Sequence, residues 1–498
     1  MTHVVHAGSL LGIDAHPVWV EARVAAGLPS FELVGLPERG VRESRVRVRS
    51  ALGAQGYEMP KRALVLNLAP GDVPKTGSAF DLAIALAILV TQNVVDDASL
   101  RHVLVLGELS LRGELRPVRG VLAQLRAARD RGLRSAIVPR GNAAEAALAR
   151  GLEVFVADDL RSVVEHLAEI TTLDTPLESP THVATDIPDL ADVRGQPVLR
   201  RALEIAAAGN HHLLLVGSPG AGKTMVARRL PGLLPAPTPD EALEIATIAS
   251  AAGLTPPGSL EHAVRPFRAP HHTASAPALV GGGDPVRPGE VTLAHDGVLF
   301  LDELPEFRRD VVETLRTTME LGRIAIVRAR HRVELPAAPL VVAAMNPCPC
   351  GFAGDPERAC TCSAERIERY VGRISGPLLD RFDLHAVAAR VPTRDLRHAP
   401  RSEGSDVVRE RVIAARAFRA AHPIEPTLEG WLSTAEDDAL VLLDRAVDAL
   451  GLSARAYVKA LRVARTIADL AGDARVRTAH VAEAVQYRRL DRRSARAA

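Results

Sequence analysis

The chain has 498 residues, a formal net charge of +1 and an aromatic content of 3%. That length exceeds a single hydrophobic core and implies about two to four domains. The near-neutral balance excludes bulk attraction to nucleic acid, so a polyanion must be gripped by a local patch, and the scarcity of aromatics excludes an extensive base-stacking surface.

The most apolar run, Leu82 to Val90, has nine residues, against the roughly 20 that a membrane span needs. No charged-then-apolar leader opens the sequence, so a cytoplasmic address with no membrane partner is expected. In that compartment the four cysteines read as metal ligands or free thiols rather than as a disulfide framework.

Residues 1–168 alternate strand and helix patterns, among them Val18 to Val24, Ala63 to Leu68 and an apolar helix from Asp81, and read as a self-contained α/β domain. Arg42, Arg45, Arg47 and Arg49 fall within eight residues and read either as a solvated helix face or as phosphate contacts. Residues 169–188, rich in Thr, Pro and Asp, form a linker. Strands and helices alternate again over 189–392, and 393–498 is helical in pattern with few breakers.

The strongest signal lies in that second region. Gly217-Ser218-Pro219-Gly220-Ala221-Gly222-Lys223-Thr224 follows the apolar run Leu213 to Val216 and precedes a helix-like stretch, the strand-loop-helix setting of a phosphate-binding loop. Its glycines bring the backbone close around a polyphosphate; Lys223 would reach the β and γ phosphates of ATP, and Thr224 would ligate Mg²⁺. The chain holds four lysines against 57 arginines, so lysine has been kept where a compact point charge is needed.

Gly297 to Glu303 reads as a buried strand ending in two carboxylates, with Asp302 expected to hold the Mg²⁺ shell and Glu303 to polarise the attacking water. A third strand, Leu340 to Met345, delivers Asn346, which either senses the γ-phosphate or is a turn residue before Pro347. All four cysteines then fall within 15 residues, as Cys348-Pro-Cys350 and Cys360-Thr-Cys362. The set fits a tetrahedral zinc tetrathiolate, although the one-residue spacings are tighter than the usual two to four; free thiols or a redox pair are the alternatives. Beyond them, Arg381 is a candidate arginine finger for a neighbouring subunit's ATP or an intramolecular partner of Asp380 or Asp383.

These elements in this order resemble an AAA+ ATPase, and in particular the magnesium-chelatase-like YifB/ComM family. The resemblance is carried by Leu33 to Pro37, Asn67 to Pro70, Pro74 to Leu82, Arg268 to Ser275, Val280 to Gly283, Gly297 to Phe307, Met345 to Gly351 and Ser453 to Tyr457, and spans essentially the whole chain. It implies a Lon-protease-like N-terminal α/β domain, an AAA+ P-loop core with a helix-2 insertion, and a C-terminal helical lid. A ring follows, most simply a hexamer, with ATP between subunits and DNA as the object moved by branch migration in natural transformation.

The resemblance also assigns residues. Arg455 matches a second arginine that enters the site from the lid. The 78 residues between Lys223 and Asp302 hold the insertion, which projects toward the ring pore. A hairpin around Arg328, Arg330, His331 and Arg332 enters that pore, where those side chains either contact phosphates of a threaded strand or form an exposed basic turn. At the front, Ala79 and Leu122 stand where Lon carries its catalytic serine and lysine, which implies loss of proteolysis, with Ser78 and Lys75 as a conceivable shifted pair. The alternatives are a chelatase-type motor that remodels a protein partner for metal insertion, a protease, and a nucleotide-dependent scaffold.

Overall fold

The computed structural model describes residues 3–177, 187–254, 259–260, 263–327, 332–391 and 402–488. Among the described residues no helix is long and apolar enough to cross a membrane.

The N-terminal part is built on a mixed seven-stranded sheet. Its strands run in the spatial order Ser30–Val34, Ala63–Ala69, Asp14–Ala25, His3–Leu11, Val103–Val105, Ser135–Pro139 and Glu153–Ala157. The helix Asp81–Thr91 is buried along ten of its eleven residues, which explains why its sequence is apolar all round rather than on one stripe. Its only charge, Asp81, is fully buried and is met by Arg47, whose Nε donates at 2.6 Å and Nη2 at 3.0 Å. One of the four clustered arginines is therefore a structural ion partner, while Arg42, Arg45 and Arg49 remain exposed. The expected linker still holds to this unit at its start: the Val156 N–H donates to the Asp174 carbonyl at 2.9 Å.

The second unit carries a five-stranded parallel sheet, Leu213–Gly217, Phe267–Arg268, Val298–Leu301, Leu340–Met345 and Leu384–Ala388 in chain order. Numbered along the chain, the strands lie in the order 2-3-4-1-5. Leu213–Gly217, Val298–Leu301 and Leu340–Met345 are buried at every position, as strands covered on both faces must be. Helix Pro197–Gly209 and the C-terminal helices Ser405–Ala421, Asp437–Leu450, Ala454–Ala471 and Thr478–Gln486 share one apolar core with one face of this sheet. Leu214, Val216, Leu299, Leu301, Val341 and Ala343 point into the core on the other face.

Among the described residues, the contacts between the two units include two that packing defines clearly. Helix Pro239–Ala252, inside the long insertion, lies against helix Val121–Asp130: the Gly120 N–H donates to Ser250 O at 3.0 Å, Arg126 donates to Thr247 Oγ1 at 2.9 Å, and Leu122, Leu148 and Ala246 close an apolar contact. The hairpin Arg323–Val327 with Arg332–Pro336 supplies the other. At Gly12, whose φ is +67°, a Cβ would lie 2.5 Å from Val333 and 3.0 Å from Leu335, so only glycine fits that turn against the hairpin base.

Candidate active site

The loop after Leu213–Gly217 turns through left-handed backbone at Gly220 (φ 78°) and Gly222 (φ 85°). Gly217 is needed for a different reason, since a Cβ there would lie 2.5 Å from the Ala388 carbonyl of the neighbouring strand. Val216 sits opposite Met345 in parallel register, so Gly217 and Asn346 leave the sheet side by side. The consequence is direct contact between them: Lys223 Nζ donates to Asn346 Oδ1 at 3.0 Å, as well as to the carbonyls of Gly217 at 2.6 Å and Ser218 at 3.1 Å. Burial pushes the Lys223 ammonium down, against the opposing pull of Asp302 and Glu303.

Thr224 Oγ1 donates to Asp302 Oδ2 at 2.6 Å, and the second carboxylate oxygen accepts the Glu303 N–H at 2.9 Å. A hydroxyl and a carboxylate held together beside a buried lysine form a hard-oxygen donor set suited to Mg²⁺ with a polyphosphate. Glu303 takes a left-handed φ of 53° and leaves its carboxylate 3.3 Å from His272 Nδ1. The His272 ring packs on His271 and edge-on to Phe307. Gln196, buried ahead of helix Pro197–Gly209, donates to the carbonyls of Ala221 at 3.1 Å and Ala389 at 2.6 Å and so ties the loop to the sheet edge. Sequence alone gives neither residue a role: His272 lies within the Arg268 to Ser275 segment, and Gln196 is marked only by the Gly-Gln pair before a helix-opening proline.

Arg381 lies elsewhere. Its Nη1 donates to Pro377 O at 3.1 Å, and its Nη2 pairs with Glu320 at the end of helix Arg309–Leu321. The two aspartates expected from sequence are not its partners; Asp383 instead accepts from Lys459 at 2.9 Å and from the His212 N–H at 3.0 Å. Arg381 and Arg455 line one cavity of about 860 Å³ with Glu320, Lys459 and Arg462, and none of residues 217–224 borders it. Of the four hairpin residues, Arg328, Arg330 and His331 lie outside the described residues. Arg332 is exposed but donates to Glu334 Oε1 at 2.6 Å, two positions along its own strand.

The four cysteines meet. Cys348 Sγ is 3.3 Å from Cys350 Sγ and 3.6 Å from Cys360 Sγ, Cys350 is 3.6 Å from Cys360, and all four sulfurs lie within 4.8 Å of one another. A tetrahedral zinc with Zn–S of about 2.3 Å spaces its sulfurs about 3.8 Å apart, so the set fits that ion. The backbone N–H groups of Phe352 and Thr361 pull the Cys350 thiol down to about 5. The loop between the cysteine pairs lies on the phosphate loop: Ser218 Oγ donates to Asp355 Oδ2 at 2.7 Å.

Three family models match the chain: magnesium chelatase, subunit ChlI, over residues 189–396; subunit ChlI of Mg-chelatase over 20–142; and its C-terminal part over 402–488. YifB from Salmonella typhimurium is 43% identical over 500 residues, covering 98% of this chain and 97% of that protein. Competence protein ComM from Haemophilus influenzae is 42% identical over 506 residues, covering 98% of each. This chain belongs to the YifB/ComM family of magnesium-chelatase-like AAA+ proteins. ATPase activity is what this family and the P-loop α/β architecture imply.

A Lon protease from Azospirillum brasilense is 27% identical over 180 residues, which cover 32% of this chain and 22% of that protein. Ala79 and Leu122, the two positions that the sequence resemblance sets against a Lon-type serine and lysine, are apolar in their surroundings: Ala79 packs on an apolar core and Leu122 is buried in the contact with Ala246. The nearby pair does not form either. Ser78 donates to Glu108, while Lys75, fully buried, donates to the Pro70 carbonyl.

Proposed function

We propose that this protein is an ATP-hydrolysing ring motor that acts on DNA, most simply as a hexamer promoting branch migration during natural transformation, with an N-terminal Lon-like domain that does not cleave. The observation that carries the reading is the pair of separated half-sites. Lys223, Thr224, Asp302, Glu303 and Asn346 converge on one loop, whereas Arg381 and Arg455 share a cavity that this loop does not border. An arginine that completes hydrolysis must reach the phosphates, so the second half-site is read as serving an adjoining protomer's ATP.

In this reading Lys223 leaves its carbonyl partners for the phosphates, and Thr224 and Asp302 hold Mg²⁺. The bound ion would neutralise charge on the β and γ oxygens. Glu303 leaves His272 to accept a proton from water, and Asn346 orients that water. Arg381 would break its pair with Glu320 on entering the neighbour's site, an exchange of one anion for another. The cysteine set is read as a structural zinc site. That the Haemophilus influenzae relative is a competence protein supports a role in competence, and the basic hairpin with Arg332 is the proposed DNA contact.

The test measures ATP turnover with and without single-stranded and branched DNA for the native protein and for Lys223→Ala and Arg381→Ala. Stimulation by DNA in the native protein, with near-complete loss in both variants, is expected. Turnover unchanged by DNA, with no DNA binding at low salt, would remove DNA as the object and favour a motor that remodels a protein partner.

A further inference from the structure

The cysteine loop and the phosphate loop are far apart in sequence and joined in space by two contacts, with a third tying the cysteine loop to the neighbouring strand end. Ser218, the second residue of the phosphate loop, donates to Asp355, and Asp355 Oδ1 also accepts the N–H groups of Glu357 and Arg358 at 3.0 and 3.1 Å. Gly351, with φ +88°, lies under Pro219 so closely that a Cβ would sit 2.5 Å from its ring. Glu357 pairs with Arg390 at 3.1 Å, just past the strand Leu384–Ala388 that flanks the phosphate-loop strand. The loop that makes these contacts, residues 351–359, is closed at one end by Cys348 and Cys350 and at the other by Cys360 and Cys362.

From this geometry we infer that a zinc-class ion held by the four thiolates latches the phosphate loop in its nucleotide-binding shape through Asp355 and Gly351, so that metal occupancy sets nucleotide affinity. The inference rests on the nucleotide-site reading above. A nine-residue loop held only by surface contacts such as Glu357–Arg390 keeps conformational freedom, and closing both ends on one ion would remove part of it before nucleotide arrives. Asp355 then presents a fixed acceptor to Ser218, and Pro219 rests on the flat face of Gly351. The binding energy of the polyphosphate is spent on contacts rather than on ordering the loop. One hydroxyl and two backbone N–H groups donate to Asp355 and hold it in its ionised form, which strengthens the bond to Ser218.

The experiment uses the full chain, zinc-loaded and chelator-stripped, with released metal quantified and the Kd of a fluorescent ADP analogue measured. Stripping should weaken binding about tenfold by loss of preorganisation. Asp355→Ala should keep its metal and show the same weakening, and stripping that variant should add less than about twofold, since coupled changes do not add. Asp355→Asn, whose amide can still bond Ser218, should bind like the native protein. Four thiols that take up no zinc, an Asp355→Ala variant of native affinity, or equal effects of stripping in the native and Asp355→Ala proteins would each overturn the latch. A zinc-loaded native protein with no affinity for the ADP analogue would instead sink the nucleotide site itself, and the latch with it.

Discussion

Two lysines of this chain are buried in glycine-bearing loops, and they do opposite things. Lys75 is wholly enclosed, donates to the Pro70 carbonyl and stands apart from Ser78, which is occupied by Glu108. Lys223 donates to carbonyls too, yet Asn346 lies at 3.0 Å, and Asp302 and Glu303 pull against the burial that depresses it. The difference lies in the setting: several strands deliver their ends to Lys223, and among the described residues none of that convergence is found around Lys75. At the front of the molecule Ala79 and Leu122 pack on apolar neighbours.

Substitution of each lysine separates the two regions most sharply. Lys223→Ala should cut ATP turnover by at least about a hundredfold, as loss of a phosphate-clamping charge does. Arg381→Ala should lower kcat about as far, within the range of about 10³ or more known for arginine fingers, while leaving the ADP Kd within about twofold. A fall in affinity equal to the fall in kcat would assign Arg381 to the protomer's own site. Next comes His272→Ala, which frees Glu303; an effect of about three- to tenfold on kcat, with nucleotide affinity unmoved, is expected of a residue that positions a general base.

A smaller effect concerns pH. Burial lowers His212 to about 4, and its Nδ1 accepts the Val341 N–H at 3.1 Å, so the neutral ring is the folded form. Because the folded value lies below the ordinary 6.5, the unfolded chain binds the extra proton first. The stabilisation is therefore whole above pH 6.5 and is lost progressively as pH falls toward about 4. Melting temperature measured across that window should drop, and His212→Asn, which retains an acceptor for Val341, should flatten the slope. The smallest expected change belongs to Lys75→Met: ATP turnover within about twofold of native, as for a site not coupled to the chemistry. A large loss there would break the contrast between the two loops.

Much of the nucleotide site was legible because its chemistry is local. A glycine-rich octapeptide after an apolar run, and a strand closed by Asp302 and Glu303, each announce themselves within ten residues. Parallel register then brings Asn346 beside Gly217, and that too follows from apolar strands of matched length. What stayed hidden are partners distant in sequence. Glu320 on Arg381 and Asp355 on Ser218 are 61 and 137 residues away from the groups they meet. Arg47 looked like one of four equivalent arginines, and only the burial of Asp81 singles it out. The close sulfurs were foreseeable; their seat on the phosphate loop was not, because nothing in Cys-x-Cys spacing says which surface the loop will cover.

The contact at Gly12 has a mechanical meaning. With no side chain between the front sheet's first turn and Val333 and Leu335, there is no compressible padding where the basic hairpin is rooted. A displacement of the hairpin base would therefore meet the front sheet directly, and a bulkier residue at position 12 would act as a wedge between the two.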